Sequence, residues 1–71
     1  MLDTPSPVRV ARTVAGLRQA DLAAAVGVSR QTIVSLERGD YAPSVYLALR
    51  IARELGGAVE DLFPLSEEPK R

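Results

Sequence analysis

Arg30, Gln31 and Ser35 are the side chains whose types and spacing best suit a chemical task, and that task is recognition by hydrogen bonds. Arginine grips the edge of guanine with two donors and glutamine does the same for adenine. Each such pair discriminates by roughly 1–3 kcal/mol. Thr32 and Val34 lie on the same stretch as secondary candidates, Val34 for contact with a thymine methyl. A second set, Gln19, Arg18, Arg38 and Tyr41, suits the DNA backbone. Gln19 opens a helix, where free N–H groups and the positive end of the dipole attract a phosphate. Contacts of that kind fix position and carry no sequence information. The plainer alternative makes Arg30, Gln31 and Ser35 the wet face of an amphipathic helix, and one of Arg18 and Arg38 ordinary solvated charge.

These side chains work together only if the segment Gln19 to Arg38, QADLAAAVGVSRQTIVSLER, forms two short helices joined by a tight turn. Ala23 lies where the second helix would cross steeply over the first, and a larger side chain would push the axes apart. Gly27 falls at the turn, where a left-handed backbone costs little only for glycine. Ile33 and Leu36, three apart, face a common core. With that spacing beside them, Arg30, Gln31, Val34, Ser35 and Arg38 read as a surface for a DNA groove.

The rest of the chain supplies the scaffold. Ser6 and Pro7 start a first helix running to about Ala15, with Gly16 ending it and Val8, Ala11 and Ala15 facing inward. The second helix spans roughly Gln19 to Val26; Arg18 is a poor cap, while Asp21 suits the helix dipole. Ser29 caps the third, which ends at Arg38 before Gly39. Ser44 caps a fourth from Val45 to Leu55, with Leu47, Ala48, Ile51 and Leu55 as its apolar stripe. A last helix runs from Val59 to about Phe63 and stops before Pro64. The expected architecture is all-α, a compact five-helix bundle over residues 7–65. A lead-in over 1–6 and a charged tail over 66–71 flank it.

Two further features follow from position. Arg12 follows Ala11 on the core side of the first helix and Glu37 follows Leu36 on the third, so the two form a partly buried ion pair linking the helices. At the other end, Val59, Leu62, Phe63 and Leu65 exceed what one short helix can hide. Leu62 is the best fit to the core, and Phe63 and Leu65 remain for self-association. A two-fold dimer would hold two reading helices about 34 Å apart, matching a palindromic site.

Composition narrows the function classes. At 71 residues the chain builds one modest core, and oligomerisation is one remedy for its marginal stability. There is no Cys and no His, which removes disulfides, thiolate metal sites and the commonest general base. Glu60 and Asp61 are adjacent and diverge on a helix, so they make no acid–base pair. No enzyme, cofactor or small-molecule ligand is indicated. No apolar run approaches the roughly 20 residues of a membrane span, and no secretory leader is evident, which makes the cytoplasm the expected location. Nine basic residues balance nine acidic ones. Their distribution is uneven: Arg9, Arg12, Arg18, Arg30 and Arg38 fall toward the beginning, Glu60, Asp61, Glu67 and Glu68 near the end. Non-specific affinity should therefore be weaker than that of a strongly basic protein.

AGLRQADLAAAVGVSRQTIVSLERGDYAPS closely resembles the core of the phage-repressor and Cro-type helix-turn-helix family of bacterial and archaeal transcription regulators. LALRIARELGGAVEDLF is similar to the family's fourth and fifth helices. The resemblance implies a five-helix fold, a phosphate-contacting glutamine at Gln19 and base reading by Arg30, Gln31 and Ser35. It also implies a phosphate contact at Arg38, and places Arg12 and Glu37 on a frequent arginine–glutamate pair. The short length and EDLF ending are similar to stand-alone regulators that dimerise through the last helix and the segment after it. Arg18 replaces the usual Ser or Thr cap and Ala58 a polar cap, so the second and last helices should fray more easily.

Three readings follow. One is a homodimeric repressor of double-stranded DNA. The second is an antitoxin-like or otherwise partnered regulator, with another protein on the C-terminal surface. The third is the DNA-binding head of a longer sensor, or a helix-turn-helix reused for protein contact.

Overall fold

Three serines set where helices begin. The hydroxyl of Ser6 accepts from the amide of Arg9 at 3.1 Å, that of Ser29 from Thr32 at 3.1 Å, and that of Ser44 from Leu47 at 3.0 Å. Each takes up one of the backbone donors that a helix start leaves free, a contact usually contributing about 1 kcal/mol. The computed structural model describes residues 6–65 and holds five helices among them. These are α1 (Pro7–Val14), α2 (Gln19–Val26), α3 (Arg30–Arg38), α4 (Val45–Leu55) and α5 (Val59–Leu62). There is no strand among the described residues. The expected lead-in, apart from Ser6, and the tail over 66–71 lie outside them.

The turn between α2 and α3 depends on Gly27, at φ 80°. The amides of Gly27 and Val28 both donate to the carbonyl of Ala23, at 2.9 and 3.0 Å, so α2 closes and the chain turns within three residues. Gly39, at φ 84°, does the same for α3, with the Asp40 amide donating to Ser35 at 2.9 Å.

Leu22, Ile33 and Ile51, one each from α2, α3 and α4, are wholly buried, and Val8 of α1 joins them. Ala23 is buried where α2 packs on α3, so its single methyl allows the close crossing. α2 also packs against α4, and α5 closes the bundle against α1 and α4. Burial of a side chain the size of Leu or Ile stabilises by roughly 1.5–3 kcal/mol, so this small cluster holds α3 at a fixed angle to α2.

Four details differ from the sequence expectations. α1 ends at Val14, one residue early, and Ala15 becomes its exposed cap, with its amide on the Ala11 carbonyl at 3.0 Å. α5 ends at Leu62, because Phe63 leaves helical geometry at φ −132°, ψ 64°. On α4, Ala52 is buried while Leu55 is only half-buried. Leu62 belongs to the core as expected, at 6% exposure, but Val59 and Phe63 are also half-buried against that core. A pocket shared by α1, α4 and α5 hides more of the last helix than its own length suggests. Of that apolar group, Leu65 alone is open, at 92% exposure.

Candidate nucleic-acid interface

One side of the bundle carries a continuous hydrogen-bonded series from scaffold to surface. Arg12 of α1 meets Glu37 of α3 with two parallel bonds, Nε to Oε2 at 2.7 Å and an outer nitrogen to Oε1 at 3.1 Å. Its third contact, at 2.8 Å, is the Leu17 carbonyl in the loop before α2. The Glu37 side chain is only 4% exposed and that of Arg12 12%. A carboxylate so deeply placed needs this matched partner, because an unpaired charge there would carry its full desolvation cost.

Glu37 also accepts from Nε2 of Gln19, the first residue of α2, at 3.2 Å. Oε1 of Gln19 in turn accepts from the Arg30 guanidinium at 3.2 Å. The amide is therefore oriented, with its donor toward the carboxylate and its acceptor toward the arginine. An amide nitrogen carries two protons, so Gln19 keeps one for a further acceptor. Two residues read separately from the sequence, one for phosphate and one for bases, are thereby joined at the start of α3.

Along α3, Gln31 Nε2 donates to the Ser35 hydroxyl at 3.3 Å, one turn on. Arg30 and Gln31 are exposed and Ser35 half-buried. Thr32 is half-buried with its hydroxyl 3.0 Å from that of Ser29, so it supports the cap more than it faces outward. Val34 is half-buried. Arg38 is exposed beside Asp40, Nε to Oδ2 at 3.3 Å, and Tyr41 is exposed in the following loop.

Arg18 departs from a simple solvated charge. Its amide donates to Asp21 at 2.9 Å and its guanidinium reaches both oxygens of the same carboxylate, at 3.1 and 3.3 Å. An arginine side chain has no acceptor to offer the helix, so only Asp21 caps α2. These bonds hold the Asp21 carboxyl below its usual range, the Arg18 side chain contributing most and its amide next. They also raise the Arg18 guanidinium, chiefly through the side-chain bond. Ala58, by contrast, gives α5 no side-chain cap.

Two arginines were not singled out by sequence reasoning. Arg9, one turn before Arg12, borders the cleft between α1 and α3. Arg50 of α4 donates to the Ala25 carbonyl in the last turn of α2 at 3.3 Å and lies 5.7 Å from the Tyr46 ring centroid. The one-turn spacing of Tyr46 and Arg50 was visible; the reach to α2 was not. α4 also turns Val45, Tyr46 and Leu49 outward. No group of three metal-ligating side chains gathers among the described residues, and no helix there is long and apolar enough to cross a membrane.

Comparison with known proteins identifies the family of this fold. Residues 8–62 match the family described as Helix-turn-helix. The chain is 53% identical over 62 residues to an HTH-type transcriptional regulator of Methanothermobacter thermautotrophicus, covering 86% of this chain and 90% of that one. It is 44% identical over 61 residues to the HTH-type transcriptional regulator YgzD of Bacillus subtilis, covering 86% and 92% respectively. The crystal structure of the restriction-modification controller protein C.AhdI from Aeromonas hydrophila superposes with a TM-score of 0.74 at 33% identity, over 80% of this chain and 86% of that one. The chain belongs to the helix-turn-helix family of DNA-binding transcriptional regulators, of Cro/C1 type.

Proposed function

We propose that this protein is a cytoplasmic homodimeric repressor that reads a palindromic operator with α3 in the major groove. The observation that carries the reading is the bond between Gln19 and Arg30. It sets a backbone-contacting amide against a base-reading guanidinium at the point where α3 would enter the groove. Arg30, Gln31 and Ser35 specify bases, with Thr32 and Val34 beside them, while Gln19, Arg18, Arg38 and Tyr41 position the backbone. The exposed Leu65 and half-buried Phe63 and Val59 support pairing of two copies at the α5 end.

Selection of bound duplexes from a random pool, followed by anisotropy titration of the winners, tests this reading. Enriched sites with two-fold symmetry and a log affinity that falls linearly with log salt are expected. Failure of any duplex to give saturable binding at low salt would overturn it. The outward α4 stripe of Val45, Tyr46 and Leu49 favours a second reading, a regulator that acts with another protein docked there. A protein that sediments as a monomer and binds DNA only with a partner would select that one.

A further inference from the structure

We infer that the cleft between α1 and α3 is a seat for a DNA backbone phosphate, with Arg9 as an arm of it on the first helix. The inference rests on the DNA-reading surface proposed above and extends it onto an element outside the helix-turn-helix. The open cleft, of about 420 Å³, is lined by Arg9, Arg12, Gln19, Val34, Glu37 and Arg38.

Its charge balance favours an anion. The one carboxylate, Glu37, lies almost fully buried and is engaged by both Arg12 and Gln19. Arg12 is spent on that carboxylate and on the Leu17 carbonyl. Two positive side chains then remain at the rim. The Arg9 side chain is exposed and forms no ion pair among the described residues. Arg38 meets Asp40 at 3.3 Å with both side chains more than half exposed; such surface pairs contribute little and yield to a stronger partner. The second N–H of the Gln19 amide and the half-buried Val34 complete a lining with charge, a directed donor and an apolar wall.

Position agrees with charge. Arg30, Val34 and Arg38 recur every four residues, so they share one side of α3. At 1.5 Å per residue, Arg30 and Arg38 stand about 12 Å apart along the axis, more than the roughly 8.5 Å depth of a major groove. With Arg30 among the bases, the Arg38 end of the cleft meets the groove's phosphate edge, and Arg9 closes on it from α1. A guanidinium suits that partner because its fork matches two phosphate oxygens.

The test is R9Q, with R9K as its charge-preserving partner, titrated against a selected site and an unrelated duplex over a range of salt. For R9Q, a fall in affinity common to both duplexes is expected, with unchanged base preference. The slope of log affinity on log salt should also drop by about one unit per bound protomer, the release expected for one phosphate contact each, hence by about two for a dimer on a full palindromic site. R9K should restore most of the slope. Circular dichroism should show all three proteins equally folded, since the Arg9 side chain is exposed. Wild-type slope and affinity in R9Q would overturn the assignment while leaving the reading surface intact, as would a change in the preferred bases. Failure of the wild type to bind any duplex would instead remove the proposed function on which the cleft depends.

Discussion

Gln19 and Glu37 stand on different helices and are joined by one hydrogen bond, Nε2 donating to Oε1 at 3.2 Å. Through it the buried ion pair of the scaffold reaches Arg30, the outermost member of the series. The arrangement places the same carboxylate in charge of two orientations, that of α1 through Arg12 and that of the Arg30 guanidinium through Gln19. Stability and base preference should therefore respond to different members of one network.

Removal of Arg12 should be felt as stability. In R12A the Glu37 carboxylate loses its bidentate partner at 4% exposure, and the Leu17 carbonyl loses its donor. Stranding half of a buried pair costs about 3–5 kcal/mol, which in a domain this small lowers Tm by more than about 10 °C. Thermal unfolding followed by circular dichroism, with and without DNA, checks this. An R12A protein that melts like the wild type but has lost DNA affinity would make Arg12 a phosphate contact and Glu37 a bystander.

The bond from Arg30 to Gln19 predicts coupled effects on recognition. R30A should relax preference at particular base pairs by roughly 1–3 kcal/mol. Q19A should weaken all sequences and, because it frees the Arg30 guanidinium, blur the same positions to a lesser degree. In a double-mutant cycle on the best site, residues in one network depart from additivity by about 0.5–3 kcal/mol. Strict additivity, or a Q19A variant with undiminished selectivity, would separate the two roles.

Much of the fold that holds this network is legible in the sequence. The serine caps, the glycine stops and the three- and four-residue apolar spacings are local signals, and they place α2, α3 and α4 to the residue. Local signals fail at the two ends. α1 stops one residue before its expected end, and α5 loses Phe63 to a non-helical backbone. The Gln19–Arg30 bond, the Arg50 contact with α2 and the cleft beside Arg9 depend on how helices cross, which no single segment encodes. The outward Val45, Tyr46 and Leu49 were missed for a different reason: a helix with a good inner stripe gives no prompt to inspect its outer one.

Acid should loosen the start of α2 through Asp21. Its carboxyl is held below the usual range in the folded protein by Arg18. The stabilising contribution is thus complete above the unfolded carboxylate value near pH 4 and is lost as pH falls through the lower folded value. The same pair raises the Arg18 guanidinium, so on the alkaline side its contribution is lost only in strong alkali. Wild-type Tm should therefore decline below about pH 4 more steeply than that of D21N, which has no charge to lose at that position. Parallel acid limbs for the two proteins would exclude this pair from the pH response. The Arg18 side chain is open to solvent and that of Asp21 partly so, so high salt should narrow the difference.

Self-association is best tested at Leu65. The sequence leaves both Phe63 and Leu65 for self-association, but Phe63 packs against the core, and a carboxylate there would damage the fold as well as any interface. Leu65 is the open member of the group, so L65E leaves the buried cluster untouched. L49E offers a contrast on the outward face of α4. If two copies pair at the α5 end, L65E should sediment as a monomer at concentrations where the wild type and L49E are dimers, with Tm measured on dilute protein unchanged. Loss of the second half-site should then weaken binding to a full palindrome by at least about 100-fold, the lower end of the gain from linking two contacts, while leaving a single half-site unaffected. A monomeric L49E beside a dimeric L65E would move the interface to α4. A wild type that stays monomeric at high micromolar concentration, and binds half-sites as well as palindromes, would end the dimer proposal altogether.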